Sequence, residues 1–200
     1  MTDTISLAVW DVPMPAVAGE RFAIKAGASC TSGRSLAGYR VEVSDTAGTV
    51  VASETLGNAP LPGTEALYWA AIDLPAPEQR TTEYSVRLVA GRDGPAGDAV
   101  ASRFSVVAVA KPQHRLAIKV TEQDTSAPLG GVEVRLGPFH ARTDAAGRAE
   151  LRVCPGAYQL QLWRNAHIAP AKPVTIDADV SLELTMVHVP EDHPDARWVR

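Results

Sequence analysis

At positions 143–151 the chain reads Thr143-Asp144-Ala145-Ala146-Gly147-Arg148-Ala149-Glu150-Leu151. An Asp side chain caps a tight turn, and a Gly three residues later supplies the positive φ that closes a hairpin. Upstream, Val132-Glu133-Val134-Arg135-Leu136 alternates between apolar and polar residues, which is the period of a half-buried strand. The stretch therefore predicts a hairpin turn within a β-sheet.

The same alternation dominates the rest of the 200-residue chain, and no stretch has apolar residues at helical spacing over a dozen positions. Clusters of turn-forming residues separate the alternating runs. Examples are Thr31-Ser32-Gly33, Asp45-Thr46-Ala47-Gly48 and Arg92-Asp93-Gly94-Pro95. About seven strands are predicted before residue 110, which is the number that one immunoglobulin-like sandwich requires. The first half is therefore predicted to be broadly immunoglobulin-like, without the Cys-Trp-Cys pattern of antibody domains.

A short hinge is predicted at Lys111-Pro112-Gln113, where a proline lies between long polar residues. We expect an immunoglobulin-like domain at 1–111, a second β-sandwich at 112–190 and a C-terminal tail at 191–200. The predicted fold class is all-β, with two antiparallel sandwiches in tandem.

Four features of the second half follow one another in a characteristic order. They are a strand at 116–120, a Pro-Leu-Gly-Gly-Val loop at 128–132, the Thr-Asp-x-x-Gly-Arg turn at 143–148 and a Pro-Gly-x-Tyr segment at 155–158. In this order they resemble the carboxypeptidase regulatory-like domain, a member of the transthyretin-like group of sandwiches. The resemblance implies a seven-stranded Greek-key sandwich that serves as an accessory or interaction module without catalysis of its own.

The charge balance and the hydropathy exclude two classes of partner. Nineteen Lys and Arg against 23 Asp and Glu give a net charge of −4, so the chain has no surplus of positive charge for a phosphate backbone. No apolar run approaches the ~18 to 20 residues that cross a bilayer. We expect neither nucleic acid nor membrane as a partner. The amino terminus lacks the pattern of a secretory signal, so a cytoplasmic location is expected.

The transthyretin-like group also includes 5-hydroxyisourate hydrolase, and part of its motif set is present. Arg148 matches the Arg after the turn, and His188-Val189-Pro190 matches part of a His-x-His-Val-Pro segment. Lys119 stands where the enzyme has its first His, and a protonated lysine is a poor base for activating water. A hydrolase or small-ligand binder centred on Arg148 and His188 is therefore an alternative, and the main prediction is that the chain is not an enzyme.

No metal or cofactor site is predicted. The five histidines are His114, His140, His167, His188 and His193. A short ligand spacing occurs only at Glu191-Asp192-His193-Pro194-Asp195, which is typical of a solvated terminus. Cys30 and Cys154 are too few for a zinc site or a disulfide framework, so we expect free thiols, with a bridge between them as the minor alternative. Phosphate-binding loops and nucleophile elbows are absent from the sequence.

Three residues are the candidates for binding a protein partner. Trp163 follows the row Tyr158, Leu160 and Leu162 by one position, so it faces away from that core, at the sheet edge, against the first domain or at a partner surface. Arg197 and Trp198 make the C-terminal segment both apolar and cationic. Such a segment either docks in a groove of a partner or of its own domains, or is a loose tail. The predicted function is a non-catalytic accessory or protein-interaction module. A cell-surface or adhesion module is a further alternative, and the sequence indicates neither the partner nor the oligomeric state.

Overall fold

The chain is all-β, as predicted. The structure is a computed structural model, and it describes residues 3–78, 81–89 and 100–189. Sixteen strands and no helix occur in these ranges. The chain divides into two compact units, Met1–Ala110 and Lys111–Arg200.

The first unit contains eight strands within its described residues. They are β1 (Ile5–Trp10), β2 (Ala16–Val17), β3 (Arg21–Cys30), β4 (Arg40–Ser44), β5 (Val50–Thr55), β6 (Tyr68–Pro75), β7 (Thr81–Val89) and β8 (Ala101–Val109). One sheet has the order β1-β3-β6, and the other has the order β2-β8-β7-β4-β5. Ile24 and Ile72 from the first sheet and Val41, Val43 and Val86 from the second are fully buried in one apolar cluster. Burial of each such side chain contributes roughly 1.5 to 3 kcal/mol, so this cluster holds the two sheets together.

The second unit is also built from two sheets. Its strands are β9 (His114–Glu122), β10 (Glu133–Leu136), β11 (Phe139–Arg142), β12 (Arg148–Val153), β13 (Gly156–Trp163), β14 (His167–Ile168), β15 (Lys172–Ile176) and β16 (Val180–His188). The sheet orders are β11-β10-β13-β15 and β12-β9-β16-β14. Leu116, Ile118 and Val120 alternate along β9 on the buried side, and Leu136 and Leu160 are buried in the facing sheet. The described residues of this unit form eight strands, including the two-residue β14, whereas the family resemblance implied seven.

The sheets are antiparallel apart from two strand pairs. β2 runs parallel to β8, and β9 runs parallel to β16. Each parallel pair joins strands that are far apart in the sequence, so no short turn forces them to run in opposite directions. The turn-forming residues in the sequence predict hairpins between neighbouring strands, so they give no information on these two parallel pairs.

The turn at 143–148 forms as predicted, but it is not a hairpin. The Oδ1 of Asp144 accepts hydrogen bonds from the N–H groups of Ala146 (2.9 Å) and Arg148 (2.8 Å). The strands on its two sides belong to different sheets, because β11 pairs with β10 and β12 pairs with β9. The matching turn after Asp45 does close a hairpin, between β4 and β5. One turn sequence thus serves two connections, and the partners of the flanking strands decide which one forms.

Candidate functional site

A row of charged residues crosses the outer face of the sheet β12-β9-β16. Arg148 is registered with Lys119, which is registered with Glu183. The Lys119 Nζ lies 3.6 Å from Glu183 Oε1, and the neighbouring Arg115 Nη1 lies 3.4 Å from Glu150 Oε2. All four of these paired side chains are about half exposed or more, so each pair contributes only about 0 to 1 kcal/mol.

This row borders an open groove of about 570 Å³, whose lining includes Ala117, Lys119, Arg148, Glu150, Ser181 and Glu183. An active-site acid or base is usually withdrawn from water, which shifts its pKa toward the working pH. The ionisable groups of this groove are instead solvated surface groups. The groove is therefore suited to polar contacts. None of the ionisable side chains that line it is a buried base.

His188 is not part of that row. It lies opposite His167 on β14, whereas the Arg148 row crosses β16 at Glu183. Five residues of strand correspond to roughly 16 Å. The structure therefore does not bring Arg148 and His188 together, and the pair on which the hydrolase alternative depended is not formed.

His167 and His188 form a pair of their own. Their ring centres are 5.1 Å apart. The Nδ1 of His167 is 2.8 Å from the carbonyl oxygen of Asn165, and its Nε2 is 3.9 Å from Glu122 Oε1. Sequence spacing could not reveal this group, because its members lie on β9, β14 and β16 and meet only through the sheet order.

Exposed apolar side chains lie beside the β14–β16 strand pair, away from the two histidine rings. Trp163 is 65% exposed, Ile168 61% and Val189 42%. Trp163 and Ile168 lie one residue outside the antiparallel bridge between Arg164 and His167, and the Val189 N–H donates to the Ala166 carbonyl (2.9 Å). We call Trp163, Ile168 and Val189 the corner patch. Trp163 is thus exposed, whereas Arg197 and Trp198 lie outside the described residues, as do the rest of the tail and His193.

Cys30 and Cys154 are both thiols and are not joined in a disulfide. Cys30 is buried in the first unit, with its Sγ 3.2 Å from Ser32 Oγ. Burial raises the pKa of the Cys154 thiol. Burial also raises the pKa of Tyr158, and the neighbouring Cys154 adds to that rise; the Tyr158 hydroxyl donates to the Cys154 carbonyl (3.1 Å). Little of the Cys154 thiol is therefore ionised at neutral pH, which slows its reactions as a nucleophile.

No protein-family model matches the sequence. No curated protein matches it either. Within the described part of the chain, no helix is long and apolar enough to cross a membrane.

Several solved structures resemble the chain loosely. BcpA, the major pilin subunit of Bacillus cereus, is similar over 94% of this chain and 71% of its own, at 10% identity and a TM-score of 0.35. The Bacillus anthracis TIE protein is similar over 92% of this chain and 41% of its own, at 13% identity and a TM-score of 0.32. The shaft pilin spaA from Lactobacillus rhamnosus GG is similar over 79% of this chain and 86% of its own, at 10% identity and a TM-score of 0.29. At TM-scores this low, the likeness is too loose to transfer a function to this chain.

Proposed function

We propose that this chain is a non-catalytic module that binds another protein through the corner patch. The observation that supports the proposal is the clustering of exposed apolar side chains. Five large apolar residues are strongly exposed within the described ranges, namely Met14, Val50, Trp163, Ile168 and Val189. Three of the five are close together through backbone pairing: Trp163 and Ile168 flank the Arg164–His167 bridge, and the Val189 N–H donates to Ala166. Clustered exposed apolar residues mark interaction sites far more often than single ones do.

Two of the three corner-patch residues lie in strands, and the third, Val189, directly follows β16. Ile168 pairs with Val187 across β14 and β16, and Trp163 is registered with Glu133 on β10. Because the backbone of Trp163 is held, only its two side-chain torsions become ordered on binding, and tryptophan is enriched at binding hot spots. We therefore propose a partner with an apolar pocket that receives the Trp163 indole.

The carboxypeptidase regulatory-like assignment of the second unit remains part of the proposal. Its support is the pair of four-stranded sheets and the Asp144 turn that connects them. Members of that family act as accessory modules, in agreement with a function based on surfaces. The cytoplasmic location expected from the sequence stays a prediction, and a cell-surface or adhesion module would use the same corner patch.

The test is affinity purification of the tagged full-length chain from its own cells, with the soluble and envelope fractions kept separate. The captured partner is then purified, and its affinity is measured for the wild type, for a Trp163→Ala/Ile168→Ala variant and for Val50→Ala as the matched control. We expect the double variant to bind at least tenfold more weakly and Val50→Ala to bind normally. Equal affinities for all three chains would refute the corner patch. If the complex is recovered from the envelope fraction, the expectation of a cytoplasmic location is wrong and the chain is better described as a cell-surface or adhesion module.

A further inference from the structure

Two histidines face each other across an antiparallel strand pair in the second unit. His167 on β14 is directly opposite His188 on β16, and their ring centres are 5.1 Å apart with a tilt of 58°. The His167 side chain is only 9% exposed, while His188 is exposed. One ring is therefore held inside the structure, and the other is open to solvent.

The orientation of the His167 ring is fixed by its backbone contact. Its Nδ1 is 2.8 Å from the carbonyl oxygen of Asn165, and a carbonyl only accepts hydrogen bonds. The proton of the neutral ring therefore lies on Nδ1, which leaves a lone pair on Nε2. A carbonyl on the far nitrogen is the usual orienting partner of a metal-binding histidine.

A carboxylate lies beside that lone pair. Glu122 Oε1 is 3.9 Å from His167 Nε2, and the Glu122 side chain is 20% exposed. Glu122 Oε2 accepts a hydrogen bond from Thr125, which holds the carboxylate in place. A held negative charge at this position attracts a cation toward the two rings.

The ring spacing leaves room for two imidazoles to bind one tetrahedral ion. With Zn–N bonds of about 2.0 to 2.1 Å and about 1.1 Å from ring nitrogen to ring centre, two such rings have centres roughly 5 Å apart. The observed 5.1 Å agrees with this value. Imidazole ligands suit Zn²⁺, Cu²⁺ and Ni²⁺, and the hard cations Ca²⁺ and Mg²⁺ prefer oxygen.

We propose that His167 and His188 form a binding site for a divalent transition-metal ion, with Zn²⁺ as its most suitable occupant, and that Glu122 supports it electrostatically. Within the described residues no group of three His, Cys, Asp or Glu side chains is arranged to hold a metal ion. The site is thus a two-imidazole site, and water or a ligand from another molecule completes the coordination. It uses the face of the β14–β16 ladder opposite Ile168 and Val189, so it is independent of the corner patch.

The test is calorimetric titration of the full-length chain with ZnCl₂ at about pH 7.5. We expect the affinity of one Zn²⁺ per chain to fall at least tenfold in His188→Ala, and to fall less in Glu122→Gln. His140→Ala and His193→Ala are matched controls that retain the wild-type affinity.

His188 is exposed, so its removal is expected to leave the fold intact, and the thermal transition of the variant checks this point. His167→Ala removes a nearly buried ring; its Nε2 is therefore examined separately, in the wild-type chain, from its NMR shift on addition of Zn²⁺. The proposal is overturned if His188→Ala binds Zn²⁺ as tightly as the wild type, if the affinity is lost in His193→Ala or His140→Ala instead, or if the His167 Nε2 shift does not move.

Discussion

Gly147 and Val120 are in direct backbone contact: the Val120 N–H donates to the Gly147 carbonyl (2.8 Å), and a methyl group on Gly147 would overlap the Val120 carbonyl oxygen. This contact attaches the chain to β9 directly after the Asp144 turn. β12 consequently continues beside β9, in the sheet opposite β11. The sequence feature that predicted a hairpin is therefore the point at which the chain changes sheets.

The Gly147→Ala variant is expected to be destabilised by about 2 to 4 kcal/mol, because the methyl group adds a backbone clash to the cost of a positive φ. Gly48→Ala is the matched control. Gly48 closes the same Asp-x-x-Gly turn at φ +81° and has no atom within 4 Å of an added Cβ, so about 1 kcal/mol is expected there. Urea unfolding of both variants measures the difference, and equal losses would show that the Val120 contact has no energetic effect.

The Thr143 hydroxyl joins the turn to the loop before β10. It accepts from the Val132 N–H (2.8 Å) and donates to the Leu129 carbonyl (2.7 Å), and it is buried. Thr143→Val keeps the shape and leaves both backbone groups without their partner, so a loss of about 2 to 3 kcal/mol is expected. Thr143→Ser, which retains the hydroxyl, should recover most of the stability in the same unfolding experiment. A Val variant as stable as the wild type would contradict this role.

Local signals in the sequence were enough to predict the fold class and most strands. Alternating residues such as Tyr84, Val86 and Leu88 are buried together, as their period predicts. The sheet assignment of β11 and β12 could not be predicted, because Asp144 and Asp45 carry the same turn chemistry and only distant partners distinguish them. The same limit applies to His167 and His188, which are brought together by strand pairing and by no local motif.

The Cys154 thiol is expected to react slowly with iodoacetamide at neutral pH, because burial raises its pKa and little thiolate is present. The rate should rise only at a pH above that at which the thiol of the urea-unfolded chain becomes reactive. The folded state holds this proton more tightly than the unfolded chain. Its contribution to stability is therefore present below the unfolded pKa and is lost as the pH rises through the folded pKa. Peptide-resolved mass spectrometry against pH measures the rate, and coincident folded and unfolded profiles would disprove the shift.

Trp163 and Leu160 lie three residues apart on β13. Replacing each by alanine should change the free energy of unfolding by very different amounts. Leu160 is 1% exposed, so Leu160→Ala is expected to cost about 2 to 5 kcal/mol. Trp163→Ala should change the free energy of unfolding by less than about 1 kcal/mol, because most of the ring is in water. A large loss for Trp163→Ala in denaturant unfolding would mean that the residue is structural.

Photo-cross-linking in living cells shows directly whether the corner patch binds a protein. A photo-reactive phenylalanine analogue replaces the exposed Ile168 in one strain and the exposed Val50 in another, and both chains are expressed at native level. We expect one dominant adduct of defined mass from position 168 and none from position 50. We also expect Trp163→Ala to reduce that adduct strongly. No adduct from position 168, or the same set of adducts from both positions, would contradict the proposal.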